Sequence, residues 1–546
     1  MSDVSRRDFV KLAGLTAAGT VLGSLVNGEK ASAAVKNAGK IRKHTKNGIL
    51  SEQVFNPYLP LNVYIPDGEP HVFGNRIYIY GSHDAIDAKV YCPGHYEVWS
   101  APITKLHDWY CEGTSYIRWE DPSNDDDVMQ LWAPDVTQGP DGRYYLYYCF
   151  CFYPEIGVAV SDSPAGPFHF LGHVKYPAHI NDGKELREFF PFDPAVLTDE
   201  DGRVYLYYGF APAEEKAMPA EITREMAVAA GYTGKILDKW MQYGLNFNGE
   251  NGMVVELEPD MVTMKYTPKP AVPGGKHTAG TGFEGHGYFE APSIRKIRGT
   301  YYLIYSSHKS HELCYATSKY PDRDFVYGGT IISNGDIGLN GRTSPVYPLS
   351  NNHGGIAQIG NDFYIFYHKG TDGSEYSRQG SAEKIQILDD GSIPQVEITS
   401  CGLNGQPLDD SGSYSSCIAC HMTDPTVTNK IDYTDPIMKK QIRITEQMGK
   451  KFITAVKDKS IVGYKYFNFE NAKWVAMEIR GTFKGKITVS HDEAGSQVIG
   501  TKNVDMDSDV WTLYDIKIKP NPGKQALYFH FDGTGELDFK EFIFSE

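Results

Sequence analysis

Basic runs, dense cysteine and long apolar stretches are all scarce in this chain, and each scarcity removes a class of protein. Its 546 residues carry 53 Lys and Arg against 69 Asp and Glu, a net charge of −16. Beyond the first few dozen residues no cluster of basic side chains interrupts the acidic background. The chain therefore has no electrostatic footprint for nucleic acid, whose binding rests on neutralised phosphates. Eight cysteines are too few for a disulfide-stapled scaffold of this length. No stretch reaches the run of about 20 apolar residues that spans a bilayer; the nearest, Leu12 to Val26, is short and diluted by Gly, Ala and Thr. Abundance lies elsewhere: 37 Tyr, 7 Trp, 55 Gly and 31 Pro, with 41% hydrophobic and 22% charged residues. That balance predicts a globular protein of many short strands and tight turns, in two or three domains.

The first residues read as an address. Ser5-Arg6-Arg7-Asp8-Phe9-Val10-Lys11 matches the twin-arginine export motif at each fixed position, and Ala31-Ser32-Ala33 supplies a small-x-small cleavage site. Residues 1–33 are thus expected to be a twin-arginine signal peptide and 34–50 a leader. The mature protein is expected in the periplasm or outside the cell, with no integral membrane segment. Cys417-Ile418-Ala419-Cys420-His421 matches the C-x-x-C-H haem attachment pattern. Its flanks are loop and then period-two alternation, not a helical haem pocket, so a Cys401–Cys420 disulfide is the preferred expectation. Cys149 and Cys151, at i and i+2 of a strand, share a face and are expected to be buried.

An internal repeat organises the middle of the chain. Five segments share a turn and an aromatic strand: Gly74 to Tyr80, Asp141 to Tyr148, Asp201 to Tyr208, Arg298 to Tyr305 and Gly360 to Tyr367. Asp-Gly and Gly-Asn pairs supply positive φ for hairpin turns, and the β-branched and aromatic residues after them suit a pleated strand. With Tyr78, Tyr145, Tyr205, Tyr302 and Tyr364 as markers, the intervals are nearly even except for the long one from Tyr205 to Tyr302. Four-stranded sheets with long loops fit these spacings, and five of them set radially make an all-β, five-bladed β-propeller. The long interval implies an insertion, and Ala213 to Tyr243 has helix-forming composition.

A second regularity carries chemistry. Counting back from the marker tyrosines, a polar or ionisable residue stands at nearly the same offset in every repeat. These are Asp67 before Tyr78, Asp135 before Tyr145, Asp193 before Tyr205, Glu290 before Tyr302 and His353 before Tyr364. Innermost strands of a propeller face its central channel, so equivalent positions converge there. One such Asp alone reads as an ordinary turn residue; five coincident positions read as a site. Crowded carboxylates raise one another's pKa and are tolerated where a mechanism uses them. Two carboxylates of unlike basicity suit glycosidic hydrolysis, one protonating the leaving oxygen while the other activates water. A non-catalytic glycan-binding propeller is the alternative from another class.

At these residues the chain resembles glycoside hydrolase family 43, the propeller β-xylosidases and α-L-arabinofuranosidases. The matching motifs are Pro66-Asp67-Gly68-Glu69-Pro70, Tyr80-Gly81-Ser82-His83-Asp84, Trp132-Ala133-Pro134-Asp135-Val136, Phe192-Asp193-Pro194-Ala195 and Phe289-Glu290-Ala291-Pro292-Ser293, within residues 51–397. The resemblance implies Asp67 as general base, Asp193 as the carboxylate that tunes the acid, and Glu290 as general acid. It further implies Asp135, Trp132 and Arg378 as substrate-binding residues, and His353 as a holder of an axial calcium ion or water cluster, with no organic cofactor. The first motif reads Asp-Gly-Glu-Pro where Asp-Pro is commoner in the family, so Glu69 competes with Asp67. Glu69 stands closer to its tyrosine than the common offset, so the spacing favours Asp67. The implied activity is inverting removal of terminal arabinofuranose or xylose from plant-type oligo- or polysaccharides, with a galactan-type exo-hydrolase as the variant within the family. Over residues 398–546, period-two alternation at Trp474 to Val489, Val510 to Ile518 and Gln525 to Phe544 predicts a β-sandwich. It resembles a family 6 carbohydrate-binding module that either binds glycan or braces the propeller.

Overall fold

The structure is a computed structural model that describes residues 53–546 apart from 89, 152, 213–222, 230–233, 244–248 and 428–439. The expected signal peptide and leader lie outside the described residues. Strands β1 (Glu69–Phe73), β2 (Arg76–Tyr80), β3 (Tyr96–Pro102) and β4 (Tyr110–Tyr116) form the first blade, each hydrogen-bonded to the next. The second holds β5 (Leu131–Gln138), β6 (Tyr144–Phe150), β7 (Ile156–Ser161) and β8 (His169–His173). The third holds β9 (Ala195–Thr198), β10 (Val204–Tyr208), β11 (Asn251–Leu257) and β12 (Lys269–Pro273). The fourth holds β13 (Tyr288–Ile297), β14 (Thr300–Ser307), β15 (Glu312–Ser318) and β16 (Val326–Ser333). The fifth has three strands rather than the four expected: β17 (Ile356–Ile359), β18 (Asp362–Gly370) and β19 (Arg378–Ile385).

Each repeat signal falls on the hairpin joining the first two strands of a blade. Gly142 and Gly202, at φ 85° and 82°, take the left-handed conformation that these turns require. The marker tyrosines sit opposite the innermost strand, as in Tyr145 against Thr137 and Tyr205 against Leu197. Closure of the ring comes from the start of the described chain. Tyr58 N–H donates to Gly380 O at 3.2 Å. The Asn56 amide donates to Ala382 O and accepts from its N–H, both at 2.9 Å. A segment far from β19 in sequence thus occupies its free side and supplies what the short blade lacks.

The insertion in the third blade carries α1 (Arg224–Ala229) and α2 (Lys235–Tyr243), as its composition predicts. Leu237 of α2 is buried against second-blade aromatics, and Lys239 donates to Asp126 at 2.7 Å. Among the described residues no helix is long and apolar enough to cross a membrane.

The C-terminal part is a β-sandwich built around one long strand. Its strands are β20 (Leu408–Asp409), β21 (Gly412–Ser415), β22 (His421–Thr423), β23 (Arg443–Gln447), β24 (Lys450–Lys457), β25 (Ile461–Phe469), β26 (Trp474–Ser490), β27 (Val498–Lys517) and β28 (Gly523–Ser545). β28 pairs in turn with β21, β24, β25 and β26. Phe467, Phe529, Phe539 and Phe542 are fully buried between its layers. They belong to the same hydrophobic core as Ile304, Leu313 and Ile365 of the fourth and fifth blades. Met422 N–H donates to Val346 O at 2.8 Å and Ile444 N–H to Thr371 O at 3.0 Å, stitching the two halves together. Fully burying each such ring contributes roughly 1.5–3 kcal/mol, so the shared core ties the sandwich to the last two blades.

The cysteine expectations divide. Cys149 and Cys151 are both fully buried as expected, but β6 ends at Phe150 and Cys151 stands in the turn beyond it rather than on the strand. The expected Cys401–Cys420 disulfide is corrected: all eight cysteines are free. Cys401 Sγ donates to Thr399 Oγ1 and Cys420 Sγ to Gly463 O, each at 3.5 Å, so the two thiols serve different partners. Cys417 and Cys420 lie inside the shared core.

Candidate active site

The five repeat positions meet at the axis because the innermost strands begin irregularly. Asp67 and Asp193 precede their strands by two residues and hold φ at 55° and 47°; Ala133 and Ala291, beside Asp135 and Glu290, lie at 24° and 61°. The ladders of β5 and β13 shift register at Trp132/Asp135 and around Glu290. Left-handed backbone costs a non-glycine residue about 1–3 kcal/mol and persists only where surrounding contacts enforce it. Here it turns carboxylates out of the pleat, toward the centre of the ring.

Asp67, Asp193, Glu290, His353, Arg378 and Trp132 line one cavity of about 470 Å³, within the usual range for a small-ligand site. Its walls are aromatic. Trp132 meets Phe192 edge to face at 5.7 Å, and Phe210 meets Phe289 at 4.9 Å. Such faces suit the C–H side of a sugar ring, leaving the carboxylates as the polar end.

Arg378 organises that end. Its guanidinium donates to Asp67 Oδ1 at 2.9 Å and holds Asp84 through Nε at 2.8 Å and Nη2 at 3.1 Å. Burial pushes Asp67 upward, but the charge of Arg378 outweighs it and keeps the carboxyl at about 2. His368 Nδ1 accepts from Asp67 N–H at 3.1 Å, so its proton is on Nε2, which faces Asn351 Oδ1 at 3.2 Å. Burial holds His368 neutral, at about 3, and His353 likewise, at about 4. Asp193 accepts from Ala291 N–H at 3.2 Å. Burial first, then the charges of Glu290 and Asp67, hold Asp193 well above the usual carboxylate range. A proton is therefore retained between Asp193 and Glu290 where Asp67 has none. One cavity holds a permanently ionised carboxylate and a protonated pair, the division of labour an acid/base site needs.

Two candidates fall outside this cavity. Asp135, expected to touch substrate, is fully buried and does not line it. It accepts from Val196 N–H at 2.8 Å and from Val136 N–H at 2.7 Å, and pairs with His71 Nε2 at 2.6 Å. Glu69 is also off the lining: its Oε2 accepts from Arg295 at 2.8 Å and from Ser293 at 2.9 Å. Burial raises Glu69 and Asp135 adds to the rise, while Arg295 opposes them, leaving it at about 7. Of the two competing acids of the first motif, Asp67 alone opens on the cavity.

Sequence reasoning assigned no role to Asp84, Tyr91, His368, Lys309 or Glu375. Asp84 stood in a quoted motif, but its bond to Arg378 spans 294 residues. Tyr91 donates to Glu375, and both line the cavity from loops that no periodicity marks.

The family model for glycosyl hydrolases family 43 matches residues 61–393, the span of the propeller. A xylosidase/arabinosidase from Thermoclostridium stercorarium is 42% identical over 502 residues, covering 90% of this chain and 99% of that protein. A second xylosidase/arabinosidase, from Bacteroides ovatus, is 27% identical over 62% of this chain and 97% of its own. A β-xylosidase from Xylanibacter ruminicola is 26% identical over 56% of this chain and 87% of its own. The catalytic-type cavity and the match along the whole propeller lead to one assignment: the chain belongs to glycosyl hydrolases family 43 and is a glycoside hydrolase.

Proposed function

We propose that the protein removes terminal arabinofuranose or xylose residues from plant pentosans with inversion at the anomeric carbon. The observation that carries this is the contrast between Asp67, ionised by Arg378, and the protonated Asp193–Glu290 pair on the same cavity. Asp67 takes a proton from water, whose oxygen attacks the anomeric carbon. As that bond forms, the bond to the leaving oxygen breaks and Glu290 delivers its proton there. Asp193 and Glu290 stand too close for both to ionise, so the pair retains the proton that the leaving oxygen receives. Trp132 supports a sugar face, and Arg378 both fixes Asp67 and lies within reach of sugar hydroxyls. The xylosidase/arabinosidase relatives support the choice of sugars.

An axial calcium ion belongs to the same reading. Glu69 Oε1 has no hydrogen-bond partner and lies 3.8 Å from His353 Nε2. Glu69 offers the oxygen that calcium prefers, with the His353 nitrogen beside it. Glu69 and His353 would hold it, and its charge would favour the ionised form of Asp67. Export by the twin-arginine route is also proposed, on the Arg6-Arg7 motif. Changing both arginines to lysine should leave the protein in the cytoplasm.

Proton NMR of the first sugar released from an aryl arabinofuranoside or xyloside tests the chemistry. An inverted anomer is expected, with the Asp67 and Glu290 carboxyls about 6.5–9.5 Å apart; a retained anomer would overturn the mechanism.

A further inference from the structure

A second and larger cavity, about 710 Å³, opens where the connection between the fourth and fifth blades meets the sandwich. Its wall draws on residues 336–346 of that connection, on Glu397, and on sandwich residues around 465, 492 and 525. The CxxCH motif ends here too, with His421 on the wall.

The chemistry of the wall is specific. Lys465, 6% exposed, lies 3.1 Å from Asp336 and 3.0 Å from Glu397. Arg342 grips Glu493 through both terminal nitrogens, at 3.1 and 2.6 Å. The carboxylates Asp336, Glu397, Asp492 and Glu493 stand against Arg342, Lys465 and Lys524, so the wall is close to balanced in charge. Three of the four carboxylates already have a cationic partner. A free divalent cation or a polyanion would have to displace those partners, so neither suits the cavity. What remains is an array of fixed donors and acceptors beside aromatic rings. Tyr466 is half-buried, its ring carrying Lys524 Nζ at 4.1 Å and its hydroxyl donating to Glu397. Asn340, Thr343, Ser344 and Gln525 add uncharged polar groups. Planar polar forks, amides and tyrosine rings without net charge match a neutral polyhydroxylated ligand. A cavity of about 710 Å³ has room for several linked sugar rings rather than one.

The two cavities share a covalent part. The connection that supplies residues 336–346 here goes on to place Leu349, Asn351 and His353 in the catalytic wall. We propose that this interdomain cavity is a second carbohydrate site, taking a neutral pentose oligosaccharide from the polymer whose ends the propeller cleaves. The choice of pentose rests on the pentosan reading above; the existence of the site does not.

The test uses the full chain with Glu290→Gln, which binds without turnover, titrated calorimetrically with xylohexaose and with arabinohexaose. Two binding events are expected for one of these sugars, and adding Tyr466→Ala should remove one of them. Lys524→Ala, which leaves the Tyr466 hydroxyl bond in place, should weaken the same event if Tyr466→Ala does not fold. In the active enzyme Lys524→Ala should raise KM on soluble arabinoxylan several-fold and leave kcat/KM on aryl pentosides unchanged. A single event with both sugars, or a second event untouched by either substitution, overturns the site. Failure of the native enzyme on every aryl pentoside would instead overturn the pentosan reading, since those substrates need only the catalytic cavity.

Discussion

Two layers of the propeller axis hold the same kinds of residue and do different work. In the open layer, Asp67, Asp193 and Glu290 face a cavity with His353 among them. In the closed layer, Glu69, His71 and Asp135 bring ligand atoms within 4.8 Å of one another and none lines that cavity. Both layers bury carboxylates beside arginine and both displace pKa values, up for Glu69 and Asp193 and down for Asp67. A displaced pKa therefore does not by itself mark catalysis. Where the group can reach a ligand, the displacement is read in rate; where it is sealed, it is read in stability.

The largest expected effects break the open layer. Asp67→Asn should lower kcat on every substrate by about 10²–10⁴-fold, because water must be activated whatever the leaving group. Azide should restore part of it by supplying a nucleophile that needs no base. Glu290→Gln should be as damaging on natural glycans yet much milder on aryl glycosides, whose leaving groups depart unprotonated. Equal losses on both substrates would remove Glu290 from the acid role.

Asp193→Asn tests whether the open layer works through charge. Asp193 and Glu290 raise one another's proton affinity, with burial the larger influence on Asp193. Removing the Asp193 charge should lower the pKa of Glu290, so the basic limb of the kcat/KM profile should move to lower pH. An unmoved limb with reduced kcat would make Asp193 a group that only orients.

Glu69→Gln sharpens the contrast from the other side. Turnover on aryl glycosides should stay within about 10-fold of the parent, while thermal stability should fall, because a buried ion pair that loses one partner typically costs about 3–5 kcal/mol. An inactive but stable Glu69→Gln protein, beside an active Asp67→Asn, would invert the reading of the two layers.

The outline of the propeller was legible because its code is local. A glycine turn and an aromatic strand recur side by side in each repeat, and both are set by near neighbours. The acids were legible because a nearly fixed offset from that turn survives in all five repeats. The depth of each acid was not. Asp135 and Asp193 stand at similar offsets before Tyr145 and Tyr205, yet a bulge in β5 and a peptide N–H from the next blade seal Asp135 away. The same holds for the Glu69–Arg295 pair, whose partners come from different blades. It holds for the core shared by the last two blades and the sandwich, since alternation in β26 and β28 shows which faces are apolar and not what covers them. The Cys401–Cys420 pairing failed for this reason too: sequence proximity in a loop does not decide where a thiol points.

The smallest effect extends the comparison to the sandwich, where His421 stands on the wall of the second cavity yet is as little exposed as Glu69. Burial is the main influence on its imidazole and holds it at about 3, against about 6.5 in the unfolded chain. Between those values the unfolded state binds a proton that the folded state refuses, so stability falls as pH is lowered through the window. Each such group contributes a slope of up to about 1.4 kcal/mol per pH unit. His353 and His368 act in the same direction, at about 4 and 3, so the parent should lose stability steeply between pH 6 and pH 4. His421→Gln keeps a side chain able to bond Thr423 Oγ1, which the imidazole meets at 3.0 Å, and removes the titration. Urea unfolding at several pH values should therefore give a shallower slope for His421→Gln, by about 1 kcal/mol per unit, with kcat/KM on aryl glycosides unaltered. Parallel slopes would mean that His421 reaches solvent protons in the folded state, and the sandwich would then belong with the open layer rather than the closed one.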